Sequence, residues 1–262
     1  MVWYDGVAVD GSGNVWVLGR VGTSSPPTTM VYWENGGSYS AVTGASSNGG
    51  LVADASGSIY FVGVEGASGY TPYYWKNANN PQGLQISSPY TNGYPNNISL
   101  SPSGSLYVGG TIWDTSGAIP VVWSSTNATF GAPTALATGT YSSNPYWETG
   151  AVAVDSSGNV DVLGYTSPTS SAYTTILVWK GISATPAALS LNGNSFYHQY
   201  GSKAAAVDSS GNLYVVESIG SSSSTTIPVY WENGGSPVAL PMGSTSGVAN
   251  TYGQANTIVI GH

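Results

Sequence analysis

The side chains able to do chemistry in this sequence are mostly aromatic and neutral. Tyr4, Tyr94, Tyr146, Trp147, Glu148, Tyr197, His198, Tyr200 and Tyr252 stand among Asn, Gln and Ser in short irregular stretches. Flat apolar rings beside hydroxyl and amide tips suit a ligand with both C–H faces and hydroxyl groups, which describes a sugar. The alternative is that these rings only cover the ends of a glycine-rich core.

The carboxylates fall into two sets. Asp10, Asp54, Asp155 and Asp208 recur in words such as Asp155-Ser-Ser-Gly-Asn159. One carboxylate per turn makes a poor calcium site, so a backbone-bonding role is expected and no metal ligand is assigned. Asp5, Glu65, Asp114, Glu148, Asp161 and Glu217 lie off that pattern. Two of them about 5–10 Å apart, one with a raised pKa, could hydrolyse a glycosidic bond. No glycosidase motif surrounds them, and His198 has no nucleophile-elbow sequence beside it, so no catalytic residue is assigned.

Composition removes other functions. The chain has 262 residues, four Lys+Arg against twelve Asp+Glu, and 6% charged residues. A row of phosphate contacts cannot be built from four cations, which argues against nucleic acid and against anionic membrane surfaces. With no cysteine and two histidines there is no thiolate nucleophile, disulfide or multi-histidine metal site, and no cofactor is implied. No apolar run reaches the roughly 18 residues of a membrane helix. The opening Met1-Val-Trp-Tyr-Asp5 has no leader character. The composition suggests an extracellular or cell-surface protein whose leader has been removed.

The elements that must position these residues are repeats. Val7–Gly19, Leu51–Gly63, Ile98–Gly110, Val152–Gly164 and Ala205–Glu217 share one pattern, and its markers Asp10, Asp54, Ser101, Asp155 and Asp208 lie 44, 47, 54 and 53 residues apart. A β-branched and aromatic run then ends at Trp33, Trp75, Trp123, Trp179 or Trp231. Tyr32-Trp-Glu-Asn-Gly-Gly37 recurs word for word as Tyr230-Trp-Glu-Asn-Gly-Gly235. Each unit reads as four short strands, the last one weak, with a turn at each Asp word. Four-stranded units of this length, unable to bury both faces alone, predict an all-β, five-bladed β-propeller in one domain. Its units are 7–50, 51–97, 98–150, 151–203 and 204–256. A sixth first strand, 257–262, closes the ring, begins a further blade or pairs with a neighbouring molecule.

Val154-Asp-Ser-Ser-Gly-Asn-Val160 resembles the bacterial propeller repeats of the SBBP and NHL type, and the Tyr-Trp-Lys/Glu-Asn-Gly words resemble a second group of bacterial repeats. The resemblance spans nearly the whole chain and implies the fold, while these families share no activity. By analogy with other propellers, the stretches entering each first strand gather at the ligand face. The reading is a non-catalytic carbohydrate-binding propeller using Tyr4, Tyr94, Tyr146, Trp147, Glu148, His198, Tyr200 and Tyr252. Its alternatives are a structural or adhesive surface module, self-associating through the terminal strand, and a glycoside hydrolase of five-bladed type.

Overall fold

The computed structural model describes residues 1–23, 29–65, 70–115, 117–169, 174–196, 205–222 and 225–242, together with 244–245, 248–249 and 258. The fold is an all-β, five-bladed propeller of antiparallel sheets, each running from its first strand outward. Blade 1 is β1 (Val2–Val9), β2 (Val15–Val21), β3 (Thr29–Glu34) and β4 (Ser40–Ala41). Blade 2 is β5 (Ala45–Ala53), β6 (Ile59–Glu65), β7 (Thr71–Lys76) and β8 (Asn79–Gly83). Blade 3 is β9 (Asn92–Leu100), β10 (Leu106–Asp114) and β11 (Gly117–Thr126), with β12 (Thr129–Phe130) and β13 (Thr134–Ala135) both on β11. Blade 4 is β14 (Tyr146–Val154), β15 (Val160–Ser167), β16 (Thr175–Lys180) and β17 (Ala187–Ala188). Blade 5 has its first strand in two pieces, β18 (Ser195–Phe196) and β19 (Ala205–Val207), followed by β20 (Leu213–Ser222), β21 (Thr225–Glu232) and β22 (Val238–Ala239). A short hairpin, β23 (Ser244–Thr245) and β24 (Val248–Ala249), follows.

The chain forms two compact units. One, Met1–Ser116 with Val121–Ala135, holds blades 1 and 2 and most of blade 3; the other, Gly117–Pro120 with Leu136–His262, holds blades 4 and 5.

The repeated words are turn chemistry. Asp10 Oδ1 accepts the backbone N–H groups of Ser12 and Asn14, both at 2.9 Å, while Asn14 Nδ2 and Trp16 Nε1 donate to Oδ2. Asp155 and Asp208 repeat the carboxylate–asparagine clasp, and Asp54 binds Ser56, Ser58 and the Tyr60 hydroxyl. Ser101 does a reduced version through its hydroxyl, which accepts Ser105 N at 3.0 Å. The Asn-Gly words are the third-to-fourth-strand turns. Asn35 and Gly36 both adopt positive φ, as a type I′ hairpin demands. The Asn35 side chain also accepts Val15 N at 2.8 Å, and Asn233 does the same for Leu213 N at 3.0 Å.

Packing within each unit is sheet on sheet. Leu18 and Met30 of blade 1 meet Leu51, Ile59, Phe61 and Trp75 of blade 2. In the second unit Leu163, Tyr165 and Ile176 of blade 4 meet Leu213, Val215 and Trp231 of blade 5. The repeated tryptophan locks each such pair: Trp75, Trp123, Trp179 and Trp231 are fully buried and donate their indole N–H to Thr43, Gln85, Ala137 and Ser190 carbonyls. The marker glycine makes room for this ring. A Cβ on Gly110 would lie 2.4 Å from Tyr94 O and 2.6 Å from Trp123 Cζ3.

The first strands begin earlier than the sequence units do, at Val2, Ala45, Asn92 and Tyr146. A bulge of one residue, at Asp5 in β1, Asn96 in β9 and Gly150 in β14, lets each strand continue past the marker glycine. Of the sixth first strand, 257–262, only Ile258 is among the described residues, and it packs against the core of blades 4 and 5.

Candidate functional site

Because of those bulges, Tyr4, Tyr94, Tyr146, Trp147 and Glu148 sit on strands β1, β9 and β14, at the sheet end opposite the aspartate turns. His198, Tyr200 and Tyr252 lie outside the described residues.

In the first unit the best-formed group surrounds blade 3. Tyr70, just before β7, is exposed and meets Trp113 of β10 edge-on, with ring centroids 5.1 Å apart. The backbone fixes both: Gly93 N donates to Tyr70 O at 2.7 Å and Thr91 N to Trp113 O at 3.2 Å. Asn92, opposite Trp113 in register, donates through Nδ2 to Thr91 Oγ1 at 3.1 Å. Half-buried Tyr94 follows two residues on, opposite Thr111, and Asp114 ends β10. Trp113, Asn92, Tyr94 and Thr111 share one face by register, giving an aromatic wall with an amide and hydroxyl groups beside it. Glu65 stands at the end of β6, where its hydrogen bond to Tyr73, helped by burial, raises the phenol pKa.

Tyr4 is 73% exposed and meets Trp33 at a tilt, with ring centroids 5.7 Å apart. Beside it Arg20 pairs with Asp5 at 3.2 Å and lies 5.1 Å above the Trp3 ring.

In the second unit Tyr146 is exposed at the start of β14, and its carbonyl accepts the Thr166 hydroxyl at 2.9 Å. Trp147 is 4% exposed, gives its indole N–H to Asn144 O at 2.8 Å and leans on Trp179 at 6.3 Å, so its ring is seated in the packing. Half-buried Glu148 faces Tyr165 in register. Glu217 replaces the marker glycine in blade 5 and is 2% exposed; its carboxylate accepts the buried Tyr165 hydroxyl. On either side of it in β20, Ile219 pairs with Phe196 and Val215 with Ala205.

Carboxylates elsewhere serve the fold. Hydrogen bonding, led by the Asn14 side chain, holds the Asp10 pKa down to about 2. Asp155 and Asp208 are lowered by their asparagine partners, Asn159 and Asn212. Asp161 goes the other way: burial raises it despite Lys180 at 3.6 Å. Among the described residues no three His, Cys, Asp or Glu side chains gather in a group able to hold a metal ion.

Tyr70 and Trp113 were not among the residues picked out by sequence. One signal was present: Trp113 is a tryptophan outside the repeat position, like Trp3 and Trp147.

No protein-family model matches the chain. No curated protein sequence matches it. Solved structures do. A gluconolactonase from Xanthomonas campestris aligns over 97% of this chain and 78% of its own, with TM-score 0.55 and 12% identity. An ulvan lyase of a polysaccharide lyase family aligns over 89% and 68%, with TM-score 0.58 and 12% identity. The α-L-arabinanase of Penicillium chrysogenum, in complex with arabinobiose, aligns over 92% and 81%, with TM-score 0.56 and 10% identity. At such identities the likeness is one of fold.

Proposed function

We propose that this protein is a non-catalytic, extracellular or cell-surface carbohydrate-binding propeller. The observation that carries the reading is the Tyr70–Trp113 pair, with Asn92 opposite Trp113 in register and hydrogen-bonded to Thr91. Such a site stacks a sugar ring on the aromatic wall and bonds its hydroxyls at the rim. Tyr94 in the same blade and Tyr146 in the other unit extend the supply of partly exposed tyrosine. The near absence of charge fits a neutral ligand, since a buried ion would need a partner. The three structural neighbours carry names of sugar-acting proteins, which supports the ligand class and says nothing about catalysis here.

Binding of arabinan, xylan and a glycan array, followed by calorimetry on the best ligand, tests the reading. Trp113→Ala and Tyr70→Ala should each weaken binding roughly thirtyfold, the loss expected for an aromatic anchor of about 2 kcal/mol. Tyr39→Ala, remote in sequence and on blade 1, should leave it unchanged. No glycan bound by the unaltered protein, or binding indifferent to both substitutions, defeats the reading. Release of reducing sugar abolished by Glu148→Gln would instead favour the hydrolase alternative.

A further inference from the structure

The acceptor tripeptide for N-linked glycans, Asn-x-Ser/Thr, occurs twice in the sequence, as Asn97-Ile-Ser99 and Asn127-Ala-Thr129. The fold separates the two. Asn97 lies inside β9, opposite Gly109 and beside the strand bulge, and is 9% exposed. An oligosaccharide could be carried there only by opening blade 3. Asn127 heads the two-residue turn that joins β11 to β12, and both it and Thr129 are exposed. Asn127 and Ala128 adopt positive φ, which makes a type I′ turn closed by the Thr126–Thr129 pair.

The equivalent turns of other blades use their asparagine differently. Two residues after the repeated tryptophan, Asn35, Asn77 and Asn233 accept the backbone N–H of Val15, Ile59 and Leu213 at 2.8, 2.9 and 3.0 Å. Asn35 and Asn233 are tied at Nδ2 as well, donating to Asn14 and Asn212 at 2.9 and 2.8 Å. Blade 3 has Ser125 at that place, and its hydroxyl accepts Leu106 N at 2.8 Å. The hairpin then runs two residues further, and the Asn127 side chain makes no hydrogen bond among the described residues. We infer that Asn127 is an attachment site for an N-linked glycan, released for that use because Ser125 has taken over the work of the turn.

The donor is a lipid-linked oligosaccharide pyrophosphate. Its sugar C1–O bond breaks and C1 bonds to Asn127 Nδ2; the amide gives one proton to a base of the transferase, and the lipid pyrophosphate leaves. Exposure of this turn belongs to its position in the blade, since Asn35, Asn77 and Asn233 are exposed in the two units alike. The hairpin is steadied within its own unit: the Tyr74 hydroxyl of blade 2 donates to Ala128 O, and Tyr74 meets Phe130 edge-on at 4.8 Å. Ser125 holds the Leu106 end of β10, while Trp113 lies at the other end, about 23 Å away at the rise of a strand. A glycan on Asn127 therefore leaves the Tyr70–Trp113 pair open. The inference rests on the extracellular or cell-surface placement proposed above, and a neutral glycan adds hydrated bulk to a chain with 6% charged residues.

The test incubates the purified, folded full chain with an oligosaccharyl transferase that reads Asn-x-Ser/Thr and a lipid-linked oligosaccharide, followed by intact mass and peptide mapping. The chain should gain a single oligosaccharide, carried by Asn127, and enzymatic release should leave an aspartate at position 127. Thr129→Val should abolish the gain while keeping the turn asparagine. Asn127→Asp, which keeps tolerance of positive φ, should do the same with unchanged circular dichroism. No addition to the folded chain overturns the inference, as does addition at Asn97 in place of Asn127, or addition at position 127 that survives Thr129→Val. Because the transferase is supplied, the outcome is independent of export and of sugar binding: a modified Asn127 on a chain that binds no glycan defeats only the proposed function, and an unmodified Asn127 on a chain that binds one defeats only this inference.

Discussion

Trp33 and Trp75 close the third strands of adjacent blades and pair in register with Val17 and Phe61. Trp75 is fully buried and gives its indole N–H to Thr43, whereas Trp33 is half-buried between Tyr4 and Tyr39. The turns of the two blades are alike, with Asp10 and Asp54 each gripping their own backbone. Local sequence therefore builds the same blade twice, and the difference comes from what covers one face. Burial in a repeat protein belongs to the interface between units more than to the unit itself.

The largest test of this comparison is tryptophan truncation. Trp75→Ala or Trp179→Ala should cost about 3–5 kcal/mol in denaturant unfolding, and Trp33→Ala less than half of that. Equal losses would break the comparison. A gentler version changes shape little: Val160→Thr buries a hydroxyl and should cost about 1–3 kcal/mol, while exposed Val15→Thr should stay within about 0.5 kcal/mol of zero.

Acid titration sharpens what the blades share. A carboxylate whose folded pKa lies below its unfolded value stabilises the fold above the unfolded value, and that contribution is lost as pH falls through the folded one. For Asp10, held near 2 against an ordinary 3.8, the loss runs from just below pH 4 down to about 2. Asp54 is lowered too, so Asp10→Asn should flatten the acid limb of stability in that window and Asp54→Asn should flatten it below the ordinary aspartate range, independent of blade exposure. Denaturant midpoints between pH 5 and 2 check this.

The smallest expected effect concerns Asp161, which stands where blades 1, 2 and 5 have Trp16, Tyr60 and Tyr214, donors to the turn carboxylate. Asp161 instead adds a buried carboxylate near Asp155, and burial raises its pKa. Asp161→Tyr should restore the donor and raise the Tm by about 2–4 °C.

The blade architecture was legible because Asp10, Gly13, Asn35 and Trp75 each answer a local demand: a clasped turn, positive φ, a hairpin and a core knob. Their recurrence gave strand order and blade number together. The early starts of the first strands were not legible, because the bulges at Asp5 and Gly150 carry no repeated residue type. That hid the difference between Tyr146, which faces solvent, and Trp147, which the next position turns into the packing. Tyr70 and Trp113 were missed because their meeting joins the start of the third strand of one blade to the second strand of the next. Spacing along the chain says nothing of such a contact. Glu217, by contrast, stood out by breaking a glycine pattern, and its burial against Tyr165 gives that break a structural counterpart.

The account rests most heavily on the unequal covering of equivalent faces, and the absence of cysteine makes that directly measurable. Single variants Val7→Cys and Val152→Cys occupy the same repeat position in blades 1 and 4, where Val7 is exposed and Val152 buried, and thiol labelling rates compare them directly. The thiol at position 7 should react at close to the rate of the unfolded chain, and the thiol at position 152 orders of magnitude more slowly. Comparable protection at both positions would contradict the account.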